Sequence, residues 1–113
     1  MPHLVTAVIK PFKLEEVRDA LRKADVIGLT VSEVQGQGRQ GGKSETFRGS
    51  EYTVDFVPKV RVEVLVDTAR VDEVVDLIAT AAHTGKIGDG KIWAIDLDRV
   101  MRIRTREIGD DAI

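Results

Sequence analysis

The residues best suited to chemistry lie in Thr84-Gly85-Lys86-Ile87-Gly88-Asp89-Gly90-Lys91. From Gly85 to Lys91 the string satisfies the G-x-x-x-x-G-K part of a phosphate-binding loop, but Ile92 stands where a Ser or Thr hydroxyl would hold Mg²⁺. The order of elements is also reversed. Such a loop leaves a strand and opens a helix, whereas this one follows a helical pattern and leads into apolar Ile92-Trp93-Ala94-Ile95. The segment therefore reads as a glycine-rich anion-binding turn and not as an NTPase loop. Its glycines let backbone N–H groups approach a phosphate, and Lys86 and Lys91 add charge. A plain surface turn has the same composition; a second glycine-and-basic segment favours the anion.

That segment is Gly36-Gln37-Gly38-Arg39-Gln40-Gly41-Gly42-Lys43. As a bare G-x-G it is weak evidence, since no helix follows to complete a dinucleotide fingerprint. Its value lies in its place at the carboxyl end of a strand. A third basic pattern, Val100-Met101-Arg102-Ile103-Arg104, alternates. On a strand it puts both guanidiniums on one side, where forked donors match phosphate oxygens; a solvated edge strand is the plainer reading. Lys59 and Glu63 are exposed strand charges unless they line the same cleft.

Elements must carry these residues to one place. Leu4-Val5-Thr6-Ala7-Val8-Ile9 reads as a buried strand, stopped by Pro11. Leu14, Val17, Ala20, Leu21 and Ala24 recur at helical spacing, with Glu15 and Glu16 in the first turn as the helix dipole prefers. A second strand over 29–34 follows Gly28. The plan then repeats: residues 60–66 alternate, Val71, Val74, Val75, Ile78 and Ala82 form a helical stripe, and residues 92–97 form the last strand. Two βαβ units in series give an α+β, ferredoxin-like split βαβ fold (βαββαβ), with two helices on one face of a four-stranded antiparallel sheet. Trp93 is assigned to the core. Arg61, Glu63 and Leu65 point to the other face, which is either wet or covered by another subunit. Residues 35–56 read as neither helix nor strand, and a connection of that length is functional or disordered.

Composition narrows the class. The 113 residues are 42% hydrophobic, enough for one domain over 1–113 with a modest core. A net charge of −2 supplies no global basic field for nucleic acid. No cysteine is present, which excludes disulfides and thiolate metal sites, and His3 and His83 alone make a poor transition-metal site. The apolar run at 4–9 is too short for a signal-peptide core or a membrane span, so a cytoplasmic domain is expected.

Taken together, these segments resemble the PII nitrogen-regulatory signal-transduction proteins. The resemblance is carried by Ile9-Lys10-Pro11-Phe12-Lys13-Leu14, Gly36-x-Gly38-Arg39-Gln40, Tyr52-Thr53-Val54-Asp55-Phe56, the Thr84 to Ile92 string and Arg102-Ile103-Arg104-Thr105, and it covers nearly the whole chain. It implies a non-catalytic regulator: a homotrimer with nucleotide sites between subunits, where ATP and ADP compete and 2-oxoglutarate binds with Mg-ATP. Gly36, Gly38, Arg39, Gln40, Gly88, Asp89, Gly90, Lys91, Arg102 and Arg104 fall on nucleotide positions, with Thr30 and Glu63 on the adenosine side. Gln40 matches the amide that reaches Mg²⁺. Lys59 matches the ammonium that pairs with 2-oxoglutarate, whose other end meets the metal and the amides of Gly38, Gly41 and Gly42.

The resemblance also divides the chain into an effector loop over 37–56, a nucleotide loop over 83–91 and a C-terminal strand or tail over 99–113. Tyr52 matches a nucleotidylated tyrosine and Ser50 a phosphorylated serine. The implied targets are an ammonium transporter, a nucleotidyltransferase or a biosynthetic enzyme, with the membrane reached only through a transporter and no direct nucleic-acid partner. The chain departs from the common pattern at Gln37, often aromatic, and Gly41, often lysine. An ATP-dependent enzyme or a nucleic-acid-binding ferredoxin-like module is the alternative; neither a general base nor a set of sheet-face aromatics is evident for them.

Overall fold

A computed structural model describes residues 1–37, 43–47, 50–54 and 56–113, with the backbone alone for 43–47 and 50–54. The strands are β1 (Pro2–Ile9), β2 (Thr30–Gly36), β3 (Lys43–Phe47), β4 (Ser50–Val54), β5 (Val57–Asp67) and β6 (Gly90–Asp96), and the helices are α1 (Leu14–Lys23) and α2 (Val71–Ala82). The main sheet has the order β2-β5-β1-β6, and each neighbouring pair is antiparallel. Each βαβ unit is split by a strand from the other, as the expected fold requires.

Alternation in β1 and β5 builds the core. Val5, Ala7 and Ile9 meet Val60, Val62, Val64 and Val66 on one face, under Val17 and Leu21 of α1 and Val74, Ile78 and Ala82 of α2. Each of these valine, leucine and isoleucine side chains contributes roughly 1.5–3 kcal/mol on burial. The short residues match the low aromatic content and let both helices lie close. α1 carries Glu15 and Glu16 in its first turn and Arg22 and Lys23 in its last, so both ends complement the dipole.

Three expectations are corrected. Residues 35–56 are not without regular structure: Gln35 and Gly36 end β2, and β3 pairs with β4 from Lys43↔Val54 to Phe47↔Ser50. The overlooked signal is a two-residue connection containing Gly49 between short runs with β-branched or aromatic residues. The alternating residues 100–104 do not form a strand. Met101 bridges to Ile108, and the chain turns back between them, with Arg106 at φ +61°. An isolated strand there has no ladder partner, so the segment pairs with its own continuation. Trp93 is not core: it is 46% exposed, because in β6 it is Ile92 that packs against the core.

Trp93 instead joins the uncovered sheet face. The register places it beside Thr6, and Thr6 beside Glu63. Leu4, Val8, Leu65 and Ile95 share this face, with Ile95 49% exposed. Among the described residues no helix is long and apolar enough to cross a membrane.

Candidate functional site

The glycine loop between α2 and β6 is organised around one carboxylate. Asp89 Oδ2 accepts from the N–H of Thr84 (2.8 Å) and of Gly85 (2.9 Å). Its Oδ1 accepts from the Thr84 hydroxyl and lies 3.2 Å from Lys10 Nζ. The same hydroxyl accepts from Lys10 Nζ at 3.3 Å and from Lys86 N–H at 3.1 Å. These bonds, led by those from Thr84, hold the Asp89 carboxyl well below the usual carboxylate range. Asp89, expected at the nucleotide, faces into its own loop and shapes it.

Lys10 was not assigned a role from the sequence. It is buried, as is Lys59, and the two ammoniums share the neighbourhood of Asp89. Lys59 Nζ donates to the carbonyl of Gly88, tying β5 to the glycine loop. Burial, and then the charge of Lys10, push the Lys59 ammonium below the ordinary lysine range, with Asp89 opposing them. Gly36 makes room for this side chain: a Cβ there would lie 3.1 Å from Lys59 Cγ. A cleft of about 510 Å³, lined by Pro11, Glu33, Val34, Gln35, Pro58, Lys59 and Val60, opens beside it.

A larger cleft of about 910 Å³ lies near the other end of the same strands. Residues 25–30 form one wall, Leu4, Glu63 and Leu65 the floor, and Asp110, Ala112 and Ile113 a further wall. Thr30 sits directly opposite Glu63 in the register. The Glu63 carboxylate accepts from Thr6 Oγ1 at 3.0 Å and lies 3.8 Å from Arg61 Nε. Arg70, at the cleft edge, donates to the carbonyl of Ala24 at 2.6 Å and so braces the wall where α1 ends.

The structure therefore brings the expected residues together in separate groups. Thr30 and Glu63 share the large cleft. Lys59 meets Gly88 and Asp89, and Gly90 and Lys91 begin β6 beside them. Arg102 pairs with Glu107 at 3.1 Å, while Arg104 is exposed in the turn. Thr30 is on edge strand β2 and Lys91 on edge strand β6, three strand spacings apart, or about 14 Å. Gly38, Arg39, Gln40, Gly41 and Gly42 lie outside the described residues, as do the side chains of Ser50 and Tyr52. Among the described residues no group of three or more His, Asp or Glu is placed to hold a metal ion.

Known proteins decide what this arrangement is. The family model described as nitrogen regulatory protein P-II matches residues 2–107. The chain belongs to that family. It is 54% identical to the nitrogen regulatory protein GlnK of Escherichia coli over 110 residues, covering 97% of this chain and 98% of the relative. It is 55% identical to the nitrogen regulatory protein P-II of Synechocystis over 109 residues, covering 96% and 97%. A crystal structure of Arabidopsis thaliana PII bound to citrate superposes with a TM-score of 0.81 at 35% identity, covering 99% of this chain and 92% of that one. These relatives make the chain a nitrogen regulatory protein of a non-enzymatic regulator family.

Proposed function

We propose that the chain acts as a homotrimer that reads ATP against ADP, and 2-oxoglutarate, and passes the result to target proteins through residues 37–56. One observation carries this reading most directly: expected nucleotide contacts stand on both edge strands of one sheet, Thr30 on β2 and Gly90 and Lys91 on β6. Two copies packed side by side bring the Thr30 edge of one, with Glu63 on the adjoining strand β5, to the Gly90/Lys91 edge of the next. The uncovered face supplies the adhesion, with Leu4, Val8, Leu65, Trp93 and Ile95 on it. One aromatic among aliphatic residues suits subunit packing better than base stacking.

In this reading the adenosine enters the large cleft beside Thr30 and Glu63. The phosphates lie against Gly36, Gly38, Arg39, Gln40, Gly88, Gly90 and Lys91, with Arg102 and Arg104. Mg²⁺ arrives with ATP and takes oxygen ligands from phosphate, from 2-oxoglutarate and from Gln40, as a hard cation prefers. Lys59 pairs with the far carboxylate of 2-oxoglutarate, and Gly38, Gly41 and Gly42 hold the near end. The related plant protein bound to citrate, another polycarboxylate, fits an acid-binding role for such a site. The targets are an ammonium transporter, a nucleotidyltransferase or a biosynthetic enzyme, reached from the cytoplasm, and Tyr52 or Ser50 is the point of covalent modification.

Sedimentation and calorimetry test this together. The protein should sediment as a trimer, bind ATP and ADP competitively, and bind 2-oxoglutarate only with Mg-ATP present. A monomer that binds ATP fully, or 2-oxoglutarate binding without nucleotide, would refute the shared intersubunit site.

A further inference from the structure

The segment after β6 does two things at once. Its turn is held by Arg102 N–H to the Glu107 carbonyl (2.9 Å), Arg106 N–H to the Arg102 carbonyl (2.8 Å) and Gly109 N–H to the Val100 carbonyl (3.1 Å). Within it the Arg102 guanidinium is already engaged. Nη1 donates to Glu107 Oε1 at 3.1 Å and Nη2 to the main-chain oxygen of Ile113 at 2.7 Å. A short 3-10 turn, Gly109–Ala112, then sets Asp110, Ala112 and Ile113 into the wall of the large cleft. Asp110 is held there by the Met1 amino group at 3.2 Å.

A carboxylate and a main-chain oxygen on a guanidinium fork offer the same acceptor chemistry as phosphate oxygens. We propose that residues 107–113 are an internal competitor for the polyphosphate: Glu107 and Ile113 engage the Arg102 guanidinium and must release it when nucleotide binds. The proposal rests on the nucleotide reading above and adds its regulation. Because Ile113 is both an Arg102 partner and part of the cleft wall, releasing Arg102 also loosens that wall. Nucleotide occupancy at Arg102 is thereby coupled to the order of the C-terminal segment, and by linkage anything that captures this segment strengthens nucleotide binding by the same factor.

The magnitude is modest, because both partners of the ion pair are partly exposed. Glu107→Gln keeps the shape of the side chain and removes its charge. It should tighten ATP binding by roughly 2- to 5-fold. Deleting residues 109–113 should act in the same direction, and hydrogen exchange across 107–113 of the unaltered protein should rise on saturation with ATP. Unaltered protein that binds ATP while Glu107→Gln binds no more tightly, with exchange at 107–113 unchanged or slowed, overturns the proposal and leaves the nucleotide reading standing. Absence of ATP binding in the unaltered protein overturns both.

Discussion

The glycine loop and the C-terminal segment both offer cationic or N–H donors to a phosphate, yet they are held by different physics. The loop is fixed by a cluster in which buried Lys10 and half-buried Thr84 and Asp89 satisfy one another, and by Lys59 on the Gly88 carbonyl. The C-terminal segment is held by the Met101–Ile108 bridge, the hydrogen bonds of its own turn, and partly exposed contacts of Arg102 with Glu107 and Ile113 and of Asp110 with Met1. The first set is less exposed than the second and so is screened less by solvent. One region is therefore the more fixed and the other the more exchangeable. Under the proposed function the fixed region would select the ligand and the labile contact would report it.

The largest expected effect breaks the rigid region. Gly90 has φ +106°, and a Cβ there would lie 1.7 Å from the carbonyl oxygen of Val8. No rotamer change relieves a clash between backbone and Cβ, so β1 and β6 must part. Gly90→Ala should destabilise the protein by about 2–4 kcal/mol, read as a lower denaturation midpoint in urea. Gly109 is the control, since it also has positive φ but a Cβ there meets nothing within 4 Å. Gly109→Ala should cost only the strain, about 1 kcal/mol. Equal losses at the two positions would abolish the contrast between the regions.

A pH experiment probes the same contrast more gently. Folding depresses the Asp89 carboxyl, through the Thr84 hydroxyl and N–H first, then Gly85 and Lys10. Its stabilisation of the loop is thus complete above the ordinary carboxylate value of about 3.9 and is lost only as pH falls through the lower, folded value. The amides of Thr84 and Gly85 should remain protected from exchange at about pH 3.5, and Lys10→Met should move their opening to higher pH. Opening near the ordinary carboxylate value in the unaltered protein would show that the clamp is weaker than its geometry indicates.

How much of this was legible in the sequence follows from where the information lay. The four-stranded fold was readable because Val60, Val62, Val64 and Val66 alternate and Val74, Ile78 and Ala82 fall on one helical stripe; both periods are local. The glycine loop was recognisable as special, but the part Asp89 plays in shaping it was not, because its partner Lys10 stands at the other end of the chain in sequence. Trp93 was assigned to the core, whereas its position in the alternation of β6 puts it on the other face. The alternation at 100–104 did not become a strand because alternation specifies one only where a partner edge exists. Arg106 and Gly109, both at positive φ, allow the fold-back that replaces it.

The smallest effect separates the two arginines that the sequence treats alike. A charge-assisted contact to phosphate is worth about 1.5–3 kcal/mol, so removing either guanidinium should weaken ATP by roughly 10- to 150-fold. Their starting states differ, however. Arg104 is exposed, and among the described residues it has no hydrogen-bond or ion-pair partner to give up. Arg102 must first leave Glu107 and Ile113. An exposed ion pair of that kind is worth roughly 0.2–1 kcal/mol, which offsets part of what Arg102 gains from phosphate. Arg104→Ala should therefore weaken ATP by about 2- to 5-fold more than Arg102→Ala, measured by calorimetry in one buffer at low salt. In a Glu107→Gln background the offset is reduced, so the two losses should converge. If Arg102→Ala is the more damaging change in both backgrounds, the C-terminal segment is not competing for that guanidinium, and the contrast between a fixed loop and an exchangeable tail reduces to a difference in exposure.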